Sequence, residues 1–118
     1  MDIFDFDAPQ EMVLCGASAY NKKFYLNPDF NGLPETIKQE LKLLCVLFTE
    51  DIGGVFELIF DEDGSLFIRT DCEEEDILYD EIGSGLMVKE VQRSKRDLFH
   101  SLELYYRVLY LGQTPEEL

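Results

Sequence analysis

The sequence has few basic residues for its size and only one histidine, the side chain that most often acts as a general acid or base. Its 118 residues include 25 Asp and Glu against 10 Lys and Arg, which gives a net charge of -15, and the single histidine is His100. A field of this sign repels nucleic acid and anionic membrane surfaces and favours basic partners. We therefore expect neither a nucleic acid nor a membrane as a partner.

Long apolar runs and a secretory start are also lacking. The densest apolar run, LKLLCVLF at 41–48, is far shorter than the roughly 20 residues that span a bilayer. The first ten residues carry no basic residue, so they do not resemble a signal peptide. Three well-separated cysteines, Cys15, Cys45 and Cys72, argue against a disulfide framework or a zinc site. We expect a cytoplasmic protein without a metal or another cofactor.

The hydrophobic pattern predicts one domain at 11–112, with an acidic and aromatic tail at 1–10 and a short tail at 113–118. The predicted element order is β-β-α-β-β-β-α. The elements are a hairpin at 11–27 with its turn at 19–22, a helix at 34–51, a hairpin at 55–60 and 66–70, a fifth strand at 77–79, and a long helix at 85–111. This order predicts an α+β fold with an antiparallel sheet of about five strands and two helices. Roadblock, longin and profilin-like domains are analogous in fold only.

The last predicted helix carries half of the protein's basic residues. Residues 86–111 contain five basic and three acidic residues, which gives them a net charge of +2. The rest of the chain contains five basic and 22 acidic residues, which gives a net charge of -17. At 100° per residue, five side chains form a basic stripe on one face: Lys89, Arg93, Arg96, His100 and Arg107. This stripe is either a solvated helix face or a docking surface for an acidic partner.

A second charged region precedes that helix. The acidic segment, residues 71–81, contains seven acidic residues, including the run Glu73, Glu74, Glu75 and Asp76. It is either a solvated loop or the surface offered to a basic partner. If the partner is a second copy of the chain, the basic stripe of one copy meets the acidic segment of the other.

The Gly-Ser-Gly at 83–85 raises the question of a phosphate loop. Val88 occupies the third glycine position of a dinucleotide fingerprint, and no lysine follows Gly85 as a Walker loop requires. The flanking Ile82 and Leu86 also exclude a serine elbow. We therefore predict that Ser84 is a helix N-cap.

Other catalytic and metal-binding patterns are incomplete. The Asp61-Glu62-Asp63-Gly64 turn lacks the ligands that a calcium loop needs at its first and twelfth positions. His100 has Asp97 and Glu103 three residues away on either side, which supplies half of a di-metal site. We therefore predict no catalytic residue and no metal ligand.

Tyrosines provide the one candidate for a small-molecule site. Tyr105, Tyr106 and Tyr110 lie close together at the end of the last helix, and Tyr20 and Tyr25 lie in the first hairpin. If the fold brings them together, they line a pocket. Otherwise they pack at the edge of the sheet with their hydroxyls in water.

Several segments together resemble a family of small bacterial proteins that is described only as a domain of unknown function. They are VLCGASAYNKKFYLNPDFNGLPE, LLCVLFTEDIGG, FDEDG, ILYDEIGSGL and ELYYRVLYLG, and they cover about residues 11–112. The resemblance implies a bacterial cytoplasmic protein and assigns no activity, cofactor, partner or site residue.

The leading functional interpretation is a non-catalytic protein-interaction or regulatory module, with a homodimer as one form. The first alternative is an acidic inhibitor or immunity-type protein that binds a basic partner. The second alternative, from a different class, is a small-molecule-binding protein that uses the tyrosine-lined pocket.

Overall fold

The computed structural model describes residues 11–114 and residue 116. The predicted tail at 1–10 lies outside these residues, as does part of the tail at 113–118. The described elements are β1 (Met12–Ser18), β2 (Lys23–Leu26), a 3-10 turn (Pro28–Phe30), α1 (Glu35–Ile52), β3 (Val55–Phe60), β4 (Leu66–Asp71), α2 (Glu81–Ser94) and α3 (Arg96–Leu109). The α+β class with an antiparallel sheet is confirmed, but the described chain has four strands and three helices.

Two hairpins build the sheet, which has the order β2-β1-β3-β4. The inner strands β1 and β3 pair antiparallel, with Ala17 opposite Phe56. Helix α1 joins the two hairpins, from the edge strand β2 to the inner strand β3. A helix is a natural connection here because the chain must cross from an edge strand to an inner strand.

The helices pack on one face of the sheet because side chains of a strand alternate between its two faces. Phe56, Leu58 and Phe60 of β3 are fully buried. The Phe56 ring meets Phe48 of α1 with centroids 4.5 Å apart, and the Phe60 ring stacks on Tyr106 of α3 at 4.2 Å. Helices α1 and α3 therefore share the core face of the sheet.

The predicted fifth strand at 77–79 is wrong. These residues lie in the loop between β4 and α2, and Ile77 and Leu78 are 92% and 88% exposed. Asp76 holds a local turn instead, because its side chain accepts the Leu78 backbone N–H at 3.2 Å and its carbonyl accepts that of Tyr79. Aspartate side chains compete with strand pairing in this way.

The single long helix predicted at 85–111 is two helices. Lys95, with φ -108° and ψ 17°, separates α2 from α3. Periodicity did not reveal the break, because one distorted residue leaves the spacing of apolar residues almost unchanged on both sides. Val91 of α2 and Phe99 and Leu102 of α3 are all buried in the same core.

The predicted N-cap at Ser84 is also wrong. Asp80 caps α2, since its side chain accepts the backbone N–H of Gly83 at 2.8 Å. The helix therefore begins about one turn earlier than predicted and includes Gly83 and Gly85. Ser84 is buried inside the first turns, where its hydroxyl accepts a hydrogen bond from the Tyr79 hydroxyl at 2.8 Å.

Candidate functional site

The basic stripe is divided between two helices and is only partly free. Lys89 and Arg93 belong to α2, and Arg96, His100 and Arg107 belong to α3. Arg107 is half-buried, and its side chain lies against Gly64 in the β3–β4 turn. Beside it, Glu103 accepts the backbone N–H of Leu66 at 2.7 Å. The C-terminal part of this face therefore holds α3 to the sheet, and four residues of the stripe remain exposed.

The acidic segment is tied to the first hairpin by Tyr20. The Tyr20 hydroxyl donates to a carboxylate oxygen of Asp76 at 2.6 Å and accepts the backbone N–H of Glu73 at 2.9 Å. The hydrogen bond to Asp76 is the main reason that the pKa of Tyr20 is raised. Glu73, Glu74 and Glu75 themselves are exposed. The segment is therefore a tethered loop with free carboxylates.

The five tyrosines do not line one pocket. Tyr25 pairs with Gly16 and lies on the face of the sheet opposite to the helices, whereas Tyr106 is buried on the helix-covered face. Tyr106 stacks on Phe60 and Tyr110, and burial is the main cause of its raised pKa. Tyr20 lies in the β1–β2 turn and is hydrogen-bonded to the acidic segment, so the predicted group of tyrosines is divided among three places.

Three cysteines are free in the described chain. Cys15 of β1 and Cys45 of α1 are fully buried, with their sulfurs 3.7 Å apart. Cys72 follows β4 and is half-buried. Burial raises the pKa of the Cys72 thiol, and the carboxylates of Asp71, Asp76 and Glu81 raise it further. A raised pKa keeps this thiol protonated, which makes it a poor nucleophile at neutral pH.

Within residues 11–114 and 116, no three His, Cys, Asp or Glu side chains converge as a metal-binding group. None of the described helices combines the length and the hydropathy that crossing a membrane requires.

A groove between α1 and α2 is lined mainly by apolar side chains. It has a volume of about 270 Å³ and is lined by aliphatic and aromatic side chains with charged residues at its rim. We call it the α1–α2 groove; its lining comprises Leu43, Leu44, Leu47, Phe48, Met87 and Val91, with Glu40, Asp51 and Lys95 as the charged members. Leu43 and Leu47 of α1 are 60% and 53% exposed beside it.

A comparison with protein-family models matches residues 11–114 to a family of unknown function, DUF6145. The chain belongs to this family. The predicted resemblance to a family without assigned activity is thereby confirmed, and DUF6145 membership adds no site residue. Comparisons with curated proteins and with solved structures gave no match for this DUF6145 protein.

The α1–α2 groove was not predicted from the sequence, although a signal for it was present. Ile37, Leu41, Leu44 and Phe48 follow one another at spacings of four, three and four, which predicts that they share the core-facing side of α1, and Leu43 and Leu47 fall outside that face. The continuous apolar run LLCVLF predicts burial of the helix on more than one side. In the structure, these two leucines are instead the exposed wall of a groove.

Proposed function

We propose that this protein is a non-catalytic interaction module that binds an apolar, basic segment of another protein in the α1–α2 groove. The observation that carries the proposal is the pair of leucines on α1. Leu43 and Leu47 are each more than half exposed, one helical turn apart, beside an apolar floor. An amphipathic helix that places its apolar side in such a groove is a common mode of recognition.

The apolar surface supplies the driving force. Fully burying a leucine side chain contributes about 1.5–3 kcal/mol, and both leucines retain more than half of their surface for a partner to cover. Met87 and Val91 of α2 form the opposite wall of the groove. A partner that covers both walls would also cover the contact between α1 and α2.

Charge selects the kind of partner. Glu40 and Asp51 lie in the rim of the groove, and Glu40 is already paired with Lys95 at 3.0 Å. The lining thus has two acidic residues against one basic residue, and the chain as a whole has a net charge of -15. Lysines or arginines beside the apolar face of the partner would meet this field favourably. The proposal is thus close to the inhibitor or immunity-type alternative, in which an acidic protein binds a basic one.

A second copy of the chain is a less favourable occupant. It would bring another net charge of -15 to the surface. Like charges of this size oppose association. The four exposed residues of the basic stripe, of which Arg93 is paired with Glu90 at 2.6 Å, could still contact an acidic segment in another copy, so the oligomeric state has to be measured.

We propose that the protein works in a reducing compartment such as the cytoplasm. The support is chemical: the buried thiols of Cys15 and Cys45 lie 3.7 Å apart and are not bridged. Neighbouring free thiols are typical of proteins that are kept reduced.

The test uses a fluorescent synthetic peptide of about 14 residues, built only from Leu and Lys with the leucines at helical spacing. Fluorescence anisotropy should detect binding to the wild-type protein. The double variant Leu43→Gln/Leu47→Gln should weaken binding at least about tenfold, which corresponds to about 1.4 kcal/mol. Both leucines are exposed, so the thermal unfolding midpoint should not change.

Two controls distinguish binding in this groove from nonspecific binding of the peptide. Leu109→Gln removes a leucine that is equally exposed, at 60%, on α3. This variant should bind the peptide like wild type, and a peptide with Glu in place of Lys should not bind. Equal loss of affinity in the Leu109 and Leu43/Leu47 variants would overturn the proposal. Light scattering that gives twice the monomer mass of 13.7 kDa, reversed by Leu43→Gln/Leu47→Gln, would instead assign the groove to a second copy.

A further inference from the structure

A second groove lies on the other flank of α1, between this helix and the β1–β2 hairpin. It has a volume of about 710 Å³, within the range of about 300–1,000 Å³ that is typical of small-molecule sites. Its lining includes Lys22 and Lys23 from the hairpin turn and the start of β2, and Lys42 from α1. We call it the lysine groove. It is separate from the α1–α2 groove and does not depend on the proposed function.

The lysine groove concentrates positive charge in a protein that has little of it. Three of the six lysines in the chain line it. Within the described residues, none of the three forms an ion pair, whereas Lys38 and Lys95 do. Glu50 is the one acidic residue in the lining, so the lining residues carry three positive charges and one negative charge, a net charge of +2. Three lysines that line one concave surface add their positive charges there, which favours an anion as a ligand.

The conformation of Lys22 points in the same direction. Its φ of 51° lies in the left-handed region, and it is the one non-glycine residue with positive φ among residues 11–114 and 116. Glycine and asparagine are the residues that such a turn position normally favours. A lysine there strains the turn, and this lysine is part of the lining of the groove. Residues held against their backbone preference are frequent at binding sites.

The lining also contains apolar side chains that could contact the apolar part of an organic ligand. Ala17 and Phe24 from the hairpin and Val46 from α1 contribute to it, next to the lysines. The net charge of -15 opposes the approach of any anion, but at physiological salt the exposed charges more than about 8 Å away are largely screened. Nearby ammonium groups therefore dominate the potential inside the groove.

From these observations, we infer that the lysine groove binds a small organic anion with at least two negative charges and an apolar or aromatic part. Phosphate esters and polycarboxylates both have this chemistry. The ammonium groups would hold the charged end, and Phe24 and Val46 would contact the apolar part.

Isothermal calorimetric titration with two probes distinguishes phosphate esters from polycarboxylates as the ligand class. Adenosine 5′-triphosphate without a metal represents the phosphate esters, and benzene-1,2,4-tricarboxylate represents the polycarboxylates. We expect at least one of them to bind, and to bind more tightly than inorganic phosphate, which lacks the apolar part. The probe that binds more tightly identifies the class of ligand. Absence of binding by both probes at millimolar concentration would overturn the inference.

Two variants and a control locate the site. Lys42→Gln and Lys22→Gly should each weaken binding by about fivefold, the loss expected for one partly exposed charge contact. Lys22→Gly should also leave the unfolding midpoint unchanged or raise it, since glycine adopts the left-handed region without strain. Lower affinity at equal or higher stability excludes misfolding as the cause. Lys89→Gln, on α2, is the control and should bind like wild type; equal loss in this control would overturn the assignment.

A second readout needs no variant. Acetylation of lysines, followed by mass spectrometry, should slow at Lys22, Lys23 and Lys42 when the bound probe is present. Lys38 and Lys89 lie outside the lysine groove and should react at the same rate with and without the probe. Protection spread equally over all of these lysines would contradict a localised site.

Discussion

The ammonium group of Lys95 lies 3.0 Å from the carboxylate of Glu40, so the residue that breaks the last helix is paired with α1. This ion pair also lies in the rim of the α1–α2 groove. The ion pair that links the α2–α3 break to α1 therefore lies next to the surface where the proposed partner would bind.

The first prediction concerns this ion pair. Both side chains are at least one-third exposed, so solvent screens their attraction. Glu40→Gln should lower the free energy of unfolding by no more than about 1 kcal/mol, and the difference should vanish in about 1 M salt. Urea unfolding at low and high salt measures both effects. Glu50→Gln, also on α1, is the control; a larger loss at Glu40 that persists in salt would mean that the pair is not screened.

The second prediction concerns two glycines with opposite roles. Gly54 precedes β3 with a φ of 69°, and an added Cβ would meet the carbonyl oxygen of Asp71 and the ring of Tyr79. Gly54→Ala should therefore destabilise the protein by about 2 kcal/mol or more. Gly85 lies inside α2 with no neighbour within 4 Å of its Cβ position, so Gly85→Ala should stabilise by about 0.5–1 kcal/mol. Denaturant midpoints of the two variants should move in opposite directions.

The third prediction concerns the tether between Tyr20 and the acidic segment. In Tyr20→Phe, the Glu73 amide loses the hydroxyl that accepts its hydrogen bond. Its hydrogen exchange should become faster, which NMR or mass spectrometry can follow across residues 72–80, whereas Tyr25→Phe should have no effect. The raised pKa of Tyr20 keeps the phenol protonated, so the tether should persist at neutral pH and be lost only above the usual range near about 10. Unchanged exchange in Tyr20→Phe would mean that other contacts hold the loop.

The fourth prediction concerns thiol reactivity. Cys15 and Cys45 are fully buried, so only Cys72 should react with iodoacetamide in the folded protein. Burial and then the neighbouring carboxylates raise the pKa of Cys72, so its alkylation near about pH 8 should be slower than that of free cysteine. Neutralising one carboxylate with Asp71→Asn should lower that pKa and speed the reaction, while Asp29→Asn should not. Faster alkylation of wild-type Cys72 than of free cysteine would contradict this account.

Much of the fold was predictable from local patterns. Turn residues and alternating apolar residues identified both hairpins, and the spacing of Ile37, Leu41, Leu44 and Phe48 identified α1 within one residue of its observed bounds. The failures have local causes. Ile77 and Leu78 resemble a strand, but Asp76 captures their backbone in a turn, and Asp80 caps α2 before Ser84 can do so.

The candidate sites were less predictable, because they depend on which elements lie side by side. Leu43 of α1 and Met87 of α2 are distant in sequence and form opposite walls of one groove. Likewise, Lys42 meets Lys22 only because the β1–β2 hairpin packs beside α1. In contrast, Arg107 belongs to the basic stripe by periodicity, yet it packs on Gly64. Sequence spacing identifies a helix face but not the element that covers it.

The most direct test of the proposed interaction is a nitrogen–proton correlation NMR titration of the wild-type protein with the Leu/Lys peptide. The account predicts that amide shifts change over residues 40–51 of α1 and 87–91 of α2, and that Leu43→Gln/Leu47→Gln abolishes these changes at the same peptide concentration. Shift changes confined to residues 96–107 of α3, or none at saturating peptide, would contradict the claim that the α1–α2 groove is the docking surface.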